Sequence, residues 1–392
     1  MKKILWLACL SYLVIGIAHI IGGSVLEQLV AHYGLTYADG GQWIMNQFLG
    51  FLVGVLIGPT ISHKLGKRMT VLIAMGALTV AEAMYSLLPP WQILLAIAPL
   101  AGFGFGMIES IVGALIIDLY KEKKAFAMSL IETFFGVGAL IIPIVAAILI
   151  SNHIWEWSFP ILTAISGLTF LLWLSMSFGK SIDEQLTKRT RAEKRQKLNY
   201  SKAAIPFLLL GMLFFFLYVG MEMSFSHYLP SILLDKTTLS ESNSAAMLSL
   251  FWGFMVLGRL FCGILADKYG YIQYLMISMV FAVIAFIGMS FLQGTANMLI
   301  MTALSGLSFA GVFGIALVYV NACIPGLTER TTSLLVACGG IGGAVLPKLT
   351  GWFMDEYNVN VSLYYFAVMV ACILAALIFM VIYGRNRNLQ LQ

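Results

Sequence analysis

Twelve predominantly apolar stretches follow one another along this chain, at 4–30, 41–62, 69–88, 91–117, 125–151, 157–179, 204–234, 244–265, 272–292, 296–323, 331–353 and 361–383. A helix rises 1.5 Å per residue, so about 20 apolar residues cross a hydrocarbon core about 30 Å thick. The pattern therefore predicts an all-α membrane protein with twelve transmembrane helices. Composition agrees: of 392 residues, 60% are hydrophobic and 10% charged, where soluble domains carry about 25% charged residues. No water-facing fold of this length hides so much apolar surface, which excludes a soluble enzyme, a nucleic-acid binder and a disordered chain. The run after Met1-Lys2-Lys3 continues to Val30, longer than the 7–15 apolar residues of a signal peptide, and is read as a retained first span. Cys9, Cys262, Cys323, Cys338 and Cys372 lie in apolar stretches without a CxxC pair. They read as small buried hydrophobes, with neither a disulfide framework nor a metal site.

Charge placement orients the spans. With the amino terminus in the cytoplasm, 20 of the 23 Lys and Arg residues fall in inner segments, and the outer loops hold only Lys236. The positive-inside rule then places both termini in the cytoplasm of a multi-pass protein of the plasma membrane. The segment 180–203 carries Lys180, Lys188, Arg189, Arg191, Lys194, Arg195, Lys197 and Lys202. It is read as a basic cytoplasmic linker between an amino-terminal bundle, 1–179, and a carboxy-terminal bundle, 204–392.

Six spans on either side of a linker suggest duplication, and one offset supports it. Lys64 and Gly66 match Lys268 and Gly270; Gly102 and Phe105 match Gly306 and Phe309; Gly136, Gly138 and Pro143 match Gly340, Gly342 and Pro347. Each pair is 204 residues apart. Six is even, so the halves run parallel. Parallel repeats of this kind characterise a large class of transporters whose substrate site lies between the halves near the midplane.

The six-plus-six plan, the long middle loop and the G-x-x-x-D-K-x-G run Gly263-Ile264-Leu265-Ala266-Asp267-Lys268-Tyr269-Gly270 together resemble the major facilitator superfamily. In the first-half copy, His63 stands at the acid's position and Gly58 is one place out of step. Leu217-Tyr218-Val219-Gly220-Met221-Glu222, Phe251-Trp252-Gly253-Phe254 with Gly258-Arg259, Ala337-Cys338-Gly339-Gly340-Ile341-Gly342-Gly343 with Leu346-Pro347, and Gly102-Phe103-Gly104-Phe105-Gly106 with Glu109 are similar to the fucose–galactose–glucose cation-symporter branch. The resemblance implies the two-bundle, pseudo-symmetric major facilitator fold, a sugar substrate and a span 4 glutamate that contacts it, matched by Glu109. It also implies a proton-carrying acid in span 1, whose place falls near Gly22 or Gly23 in this chain.

A charge at mid-bilayer costs at least about 2.5–3.5 kcal/mol, so the few present are the functional candidates. Glu109 and Glu132 lie at similar depths in antiparallel neighbouring spans. If their faces meet, two carboxyls share a site and one keeps its proton, which makes them the candidate proton-coupling pair. Glu222 in span 7 is a candidate for sugar hydroxyls or for the outer gate. Lys64, Arg68, Asp267 and Lys268 in the loop motifs form a candidate inner gate with Arg259, which is expected to snorkel or to pair with an acid such as Asp267. Lys348 and Glu27 are candidate cavity charges. Glu82 in span 3 is expected to make a structural contact. His19 suits proton work or sugar binding and equally suits a packed core. Asn46, Gln47 and Asn321 offer amides to hydroxyls. Trp43 and Trp252 offer ring faces, or pack.

GFGFG lies within a span with no strand before it, so it is not a nucleotide loop. Without such a loop the chain has no way of its own to hydrolyse ATP. The favoured expectation is a secondary active transporter, not an enzyme, that moves a small polar solute, a sugar, with a proton as coupling ion, sodium being the alternative. No cofactor and no nucleic-acid partner are expected, only the small-molecule substrate and the bilayer, and the chain is expected to act as a monomer. A competing expectation is proton-driven export of amphipathic drugs or lipids through a cavity rich in Met and Phe. Against it, span 5 has Ile142 before Pro143, where drug antiporters of the superfamily carry glycine. A non-transporting membrane sensor is a third.

Overall fold

The computed structural model describes residues 2–120, 124–187, 200–202, 204–324 and 327–387. The basic run of the linker, 188–199, lies outside the described residues. The helices are α1 (Lys2–Ser24), α2 (Leu26–Tyr33), α3 (Tyr37–Leu65), α4 (Lys67–Tyr85), α5 (Trp91–Leu119), α6 (Lys124–Ser151), α7 (Ser158–Ser175), α8 (Lys180–Thr187), α9 (Ala204–Lys236), α10 (Glu241–Tyr269), α11 (Tyr271–Phe291), α12 (Thr295–Phe309), α13 (Val312–Cys323), α14 (Thr328–Glu356) and α15 (Val359–Asn386). Among the described residues, twelve helical spans are long and apolar enough to cross a bilayer. The reason is that backbone polar groups in hydrocarbon find partners only within the helix itself.

Two expected spans are interrupted. The first ends at Ser24, and the short helix α2 follows Val25. The tenth breaks between α12 and α13 at Ala310 and Gly311, where Gly311 adopts φ +71°. Only glycine enters that left-handed region without steric cost. Helix ends elsewhere follow local chemistry. Ser240 and Asn358 cap α10 and α15 by accepting from the N–H groups of Asn243 and Val361, the usual remedy for the free donors of a first turn.

The chain forms two compact units. One comprises Met1–Leu35 and Gln42–Arg195, the other Thr36–Gly41 and Gln196–Gln392. In the first, α1 packs along α6, and α4 along α5 and α7. The α3–α5 crossing is a seam of small residues. A methyl group at Gly50 would overlap the Pro99 carbonyl, and one at Gly102 would overlap the Gln47 carbonyl. Without a hydrophobic drive between helices in lipid, close backbone approach of this kind supplies the packing energy. In the second unit, α9 packs along α14 and α15, α10 along α12, and α11 along α12 and α15.

The 204-residue offset recurs in these contacts. Gly306 meets the Phe251 carbonyl as Gly102 meets that of Gln47. Gly258 meets Leu307 as Gly54 meets Phe103. Gly66 and Gly270, both at positive φ, turn the chain between spans 2 and 3 and between spans 8 and 9. The segment Thr36–Gly41 belongs to the second unit because that unit anchors it. Asp355 at the end of α14 accepts from the N–H groups of Tyr37 (2.9 Å) and Ala38 (2.6 Å), and Tyr228 donates to the Tyr37 carbonyl.

The seam predicts opposite outcomes for one chemical change. Gly102→Ala forces a methyl group into the Gln47 carbonyl and is expected to cost about 1–3 kcal/mol, read as a lower melting temperature of the detergent-purified protein. Gly263→Ala, with no neighbour within 4 Å, is expected to be neutral or to stabilise by up to about 1 kcal/mol.

Candidate functional site

In the first unit, α1, α5 and α6 bring Tyr12, Glu109 and Glu132 together. The Tyr12 hydroxyl donates to the backbone carbonyl of Glu109 at 2.9 Å. The two carboxyls and this hydroxyl lie close enough for their charges to interact. Glu109 is half-buried and Glu132 exposed. The glycines around them permit the approach, since a methyl group on Gly113 would stand 2.9 Å from the Tyr12 hydroxyl. Tyr12 was not among the sequence candidates, because a tyrosine in an apolar run carries no local signal of its target.

The other candidates of this unit are largely occupied by structure. His19 is buried, with Nδ1 within hydrogen-bond distance of the Ile15 carbonyl and its ring among those of Phe48, Phe51, Phe105 and Phe135, the nearest centroid 4.1 Å away. Of its two expected roles, the structure therefore displays the packed one. Asn46 spends both ends of its amide, donating to the Leu95 carbonyl and accepting from Gln42. It ties α3 to α5 instead of facing open space. Gln47 is buried and bonds Tyr85. Trp43 is fully enclosed and donates to the same Tyr85 hydroxyl at 3.2 Å. Glu82, expected to make a structural contact, is 1% exposed, and its Oε2 has no hydrogen-bond partner. Glu27 is half-buried on α2, beyond the break in span 1.

Of the expected inner gate, Lys64 is exposed and Arg68 has a defined task within its own unit. It donates to the carbonyls of Trp173, Leu174 and Met176, which end α7, and pairs with Asp183 at 3.7 Å. Arginine's fork satisfies several terminal carbonyls at once. The Asp183 carboxyl is held below the usual carboxylate range, first by the Ser177 hydroxyl, then by the Phe178 N–H and by Arg68. Its contribution is present at neutral pH and lost as pH falls through its lowered value. Lys67, outside the expected set, pairs with Asp118.

In the second unit, Glu222 and Arg259 meet, Oε1 to Nη2 at 4.0 Å. Asp267, the expected partner of Arg259, is exposed near the end of α10. Arg259 pairs with an acid as expected, and depth makes that acid Glu222. Glu222 stands near the middle of the 33-residue α9, and Arg259 lies well inside the 29-residue α10, so the pair sits deep in the bundle. Glu222 is buried and Arg259 is 28% exposed. Two tyrosines close by hold the break in span 10. Tyr218 donates to the Phe309 carbonyl at 3.0 Å, and Tyr274 donates to that of Ala310. These are the last carbonyls of α12, freed by the interruption. The sequence did not single this position out, since Gly306 and Gly314 share the span with Gly311.

Trp252 is 1% exposed and packs edge-on against Phe251, so neither face is open for a sugar here. Asn321 donates to Leu317 and to Thr332 on α14, tying α13 to α14. Lys348 is exposed on α14. Lys268 is exposed, with its ammonium 5.1 Å from the Tyr269 ring centroid.

Twelve spans in two repeated bundles, each holding charged groups within it, form the architecture of a polytopic transport protein. Comparison with known proteins gives the family. The Major Facilitator Superfamily model matches residues 7–347, and the chain belongs to that family. It is a transport protein, not an enzyme. The glucose/mannose transporter GlcP of Bacillus subtilis (strain 168) is 29% identical over 363 residues, covering 91% of this chain and 90% of that one. The sodium-dependent glucose transporter 1A of Mus musculus is 23% identical over 411 residues, covering 95% and 94%. Among solved structures, the nucleoside transporter NupG superposes with a TM-score of 0.76 at 14% identity over 97% of this chain and 99% of that one. A peptide transporter of the POT type reaches 0.80 at 12% identity over 98% and 94%. Those likenesses establish the fold.

The Glu222–Arg259 pair is expected to act as a unit. Glu222→Gln and Arg259→Met should each destabilise the protein by leaving one deep charge without its partner. The double variant should lose less than the sum, with a coupling of about 1–2 kcal/mol in a double-mutant cycle of thermal unfolding. Strict additivity would mean that the two groups contribute nothing to each other.

Proposed function

We propose that this chain is a secondary active transporter of a hexose-class sugar. It carries the sugar across the plasma membrane by alternating access, with both termini in the cytoplasm and a proton as the coupling ion. The observation that carries the reading is the cluster of Tyr12, Glu109 and Glu132, two acids at one site inside a membrane bundle. Two carboxylates whose charges interact disfavour each other's ionisation, and a proton taken up by one relieves both that repulsion and the cost of a charge in low dielectric. A proton-loaded site can then pass through a closed state that an ionised one cannot.

The sugar assignment draws on the relatives, a glucose/mannose transporter and a sodium-dependent glucose transporter. It also draws on the chemistry of hexoses, whose hydroxyls suit carboxyl, amide and tyrosine partners. Sodium is the rival coupling ion, and the gradient experiment separates the two.

The test is uptake of labelled glucose or mannose into proteoliposomes under an imposed proton gradient or an imposed sodium gradient. The proton gradient alone is expected to drive accumulation. Glu109→Gln is expected to reduce gradient-driven accumulation at least about tenfold, the scale of a lost charge-dependent step, while sugar counterflow without a gradient persists. Full accumulation by Glu109→Gln would overturn the coupling scheme, and absence of hexose counterflow in the unaltered protein would overturn the substrate class.

A further inference from the structure

The duplicated halves differ where spans 3 and 4, and their repeats 9 and 10, pack together. In the first unit, α4 and α5 close on each other, because a methyl group on Gly104 would stand 2.7 Å from the Ala74 carbonyl and 2.8 Å from the Leu78 nitrogen. At the same repeat positions the second unit has Ser308 and Ser278. There the contact opens into a groove of about 560 Å³ between α10, α11 and α12, within the 300–1,000 Å³ range of small-molecule sites.

Three observations define what fits it. The first is polarity. The groove is walled by apolar groups such as Phe261, Ile277, Phe281 and Leu307, all exposed to the surroundings. The polar groups within it are used internally: Tyr274 donates to the Ala310 carbonyl and Ser308 to that of Leu304. An occupant finds contact surface and little hydrogen bonding, which suits a hydrocarbon chain. The second is length. The wall on α10 runs from Gly258 to Tyr269, about 16 Å at 1.5 Å per residue, close to the ~15 Å of a single leaflet. The third is charge. Tyr269 ends the groove at the face assigned to the cytoplasm, and the Lys268 ammonium stands over its ring, where an anionic headgroup of the inner leaflet would reach it.

We infer that the groove between spans 8, 9 and 10 is a binding site for one anionic phospholipid of the inner leaflet, its acyl chain in the cleft and its phosphate at Lys268. The site has a structural consequence. Gly258, Tyr274 and Leu307 line it, and they also flank the break at Ala310 and Gly311. The seated chain braces the interrupted tenth span from its membrane side. This reading is independent of which solute is transported.

Native mass spectrometry tests it on the detergent-purified full chain equilibrated with an equimolar mixture of phosphatidylglycerol and phosphatidylethanolamine. The expected result is one retained phospholipid, with phosphatidylglycerol favoured about fivefold, the scale of a single lysine–phosphate attraction near the surface. Ile277→Trp and Leu304→Trp, which fill the groove, are expected to lower retention at least about fivefold. Leu209→Trp, a swap at another exposed position, is expected to leave it unchanged, and melting curves confirm that each variant is folded. Lys268→Gln should keep the retained lipid and lose the preference for phosphatidylglycerol. Equal retention by the folded groove-filling variants and the unaltered protein would overturn the site. An unchanged preference in Lys268→Gln would overturn the headgroup assignment.

Discussion

A backbone carbonyl in hydrocarbon must find a donor, and the rest of this structure depends on that requirement. Twelve spans meet it by being helical from end to end or nearly so. Where a span is interrupted, side chains supply the missing partners: Tyr218 and Tyr274 take the two carbonyls released at the break between α12 and α13. The ends of spans obey the same rule. Arg68 serves the last carbonyls of α7, and Asp355 serves the first N–H groups of α3. Arg68, which the loop motifs offer as a gating element, thus also terminates a helix.

The second constraint is the cost of charge at depth. Each unit meets it differently. The first brings two acids and a tyrosine close enough for their charges to interact. The second sets Glu222 opposite Arg259. Glu82 meets neither pattern, enclosed with one oxygen unmatched. A duplicated scaffold has therefore been loaded with unlike electrostatics in its two copies. Some seam glycines recur between the copies, Gly54 as Gly258 and Gly102 as Gly306, while the deep charges do not.

Much of the fold was legible in the residues. The number of spans, their approximate limits and the repeat offset all follow from apolar run length and from glycines recurring at 204-residue spacing, because those are one-dimensional signals. The seams at Gly102 and Gly306 were visible as small residues within spans. The two breaks were not. Val25 and Ala310 are apolar like their neighbours, and run length alone is blind to one residue leaving helical geometry. Of the acids, Glu109 and Glu132 could be placed together from equal depth in adjacent antiparallel spans. Arg259 could not be matched to Glu222, since pairing across α9 and α10 depends on how far each helix extends beyond the membrane edge.

What the sequence determined by itself is the solvent, the count and the duplication. Hydrophobic run length measures the bilayer, and a fixed offset is preserved whatever the helices do in space. What only the tertiary structure decided is the use of each polar side chain. His19 ended among four phenylalanine rings, Asn46 in a brace between helices and Arg68 on a helix end, while Tyr12 joined the acids unannounced. A polar residue in a span must find a partner, but rotation and crossing angle choose which one, and neither angle is written in the residues alone.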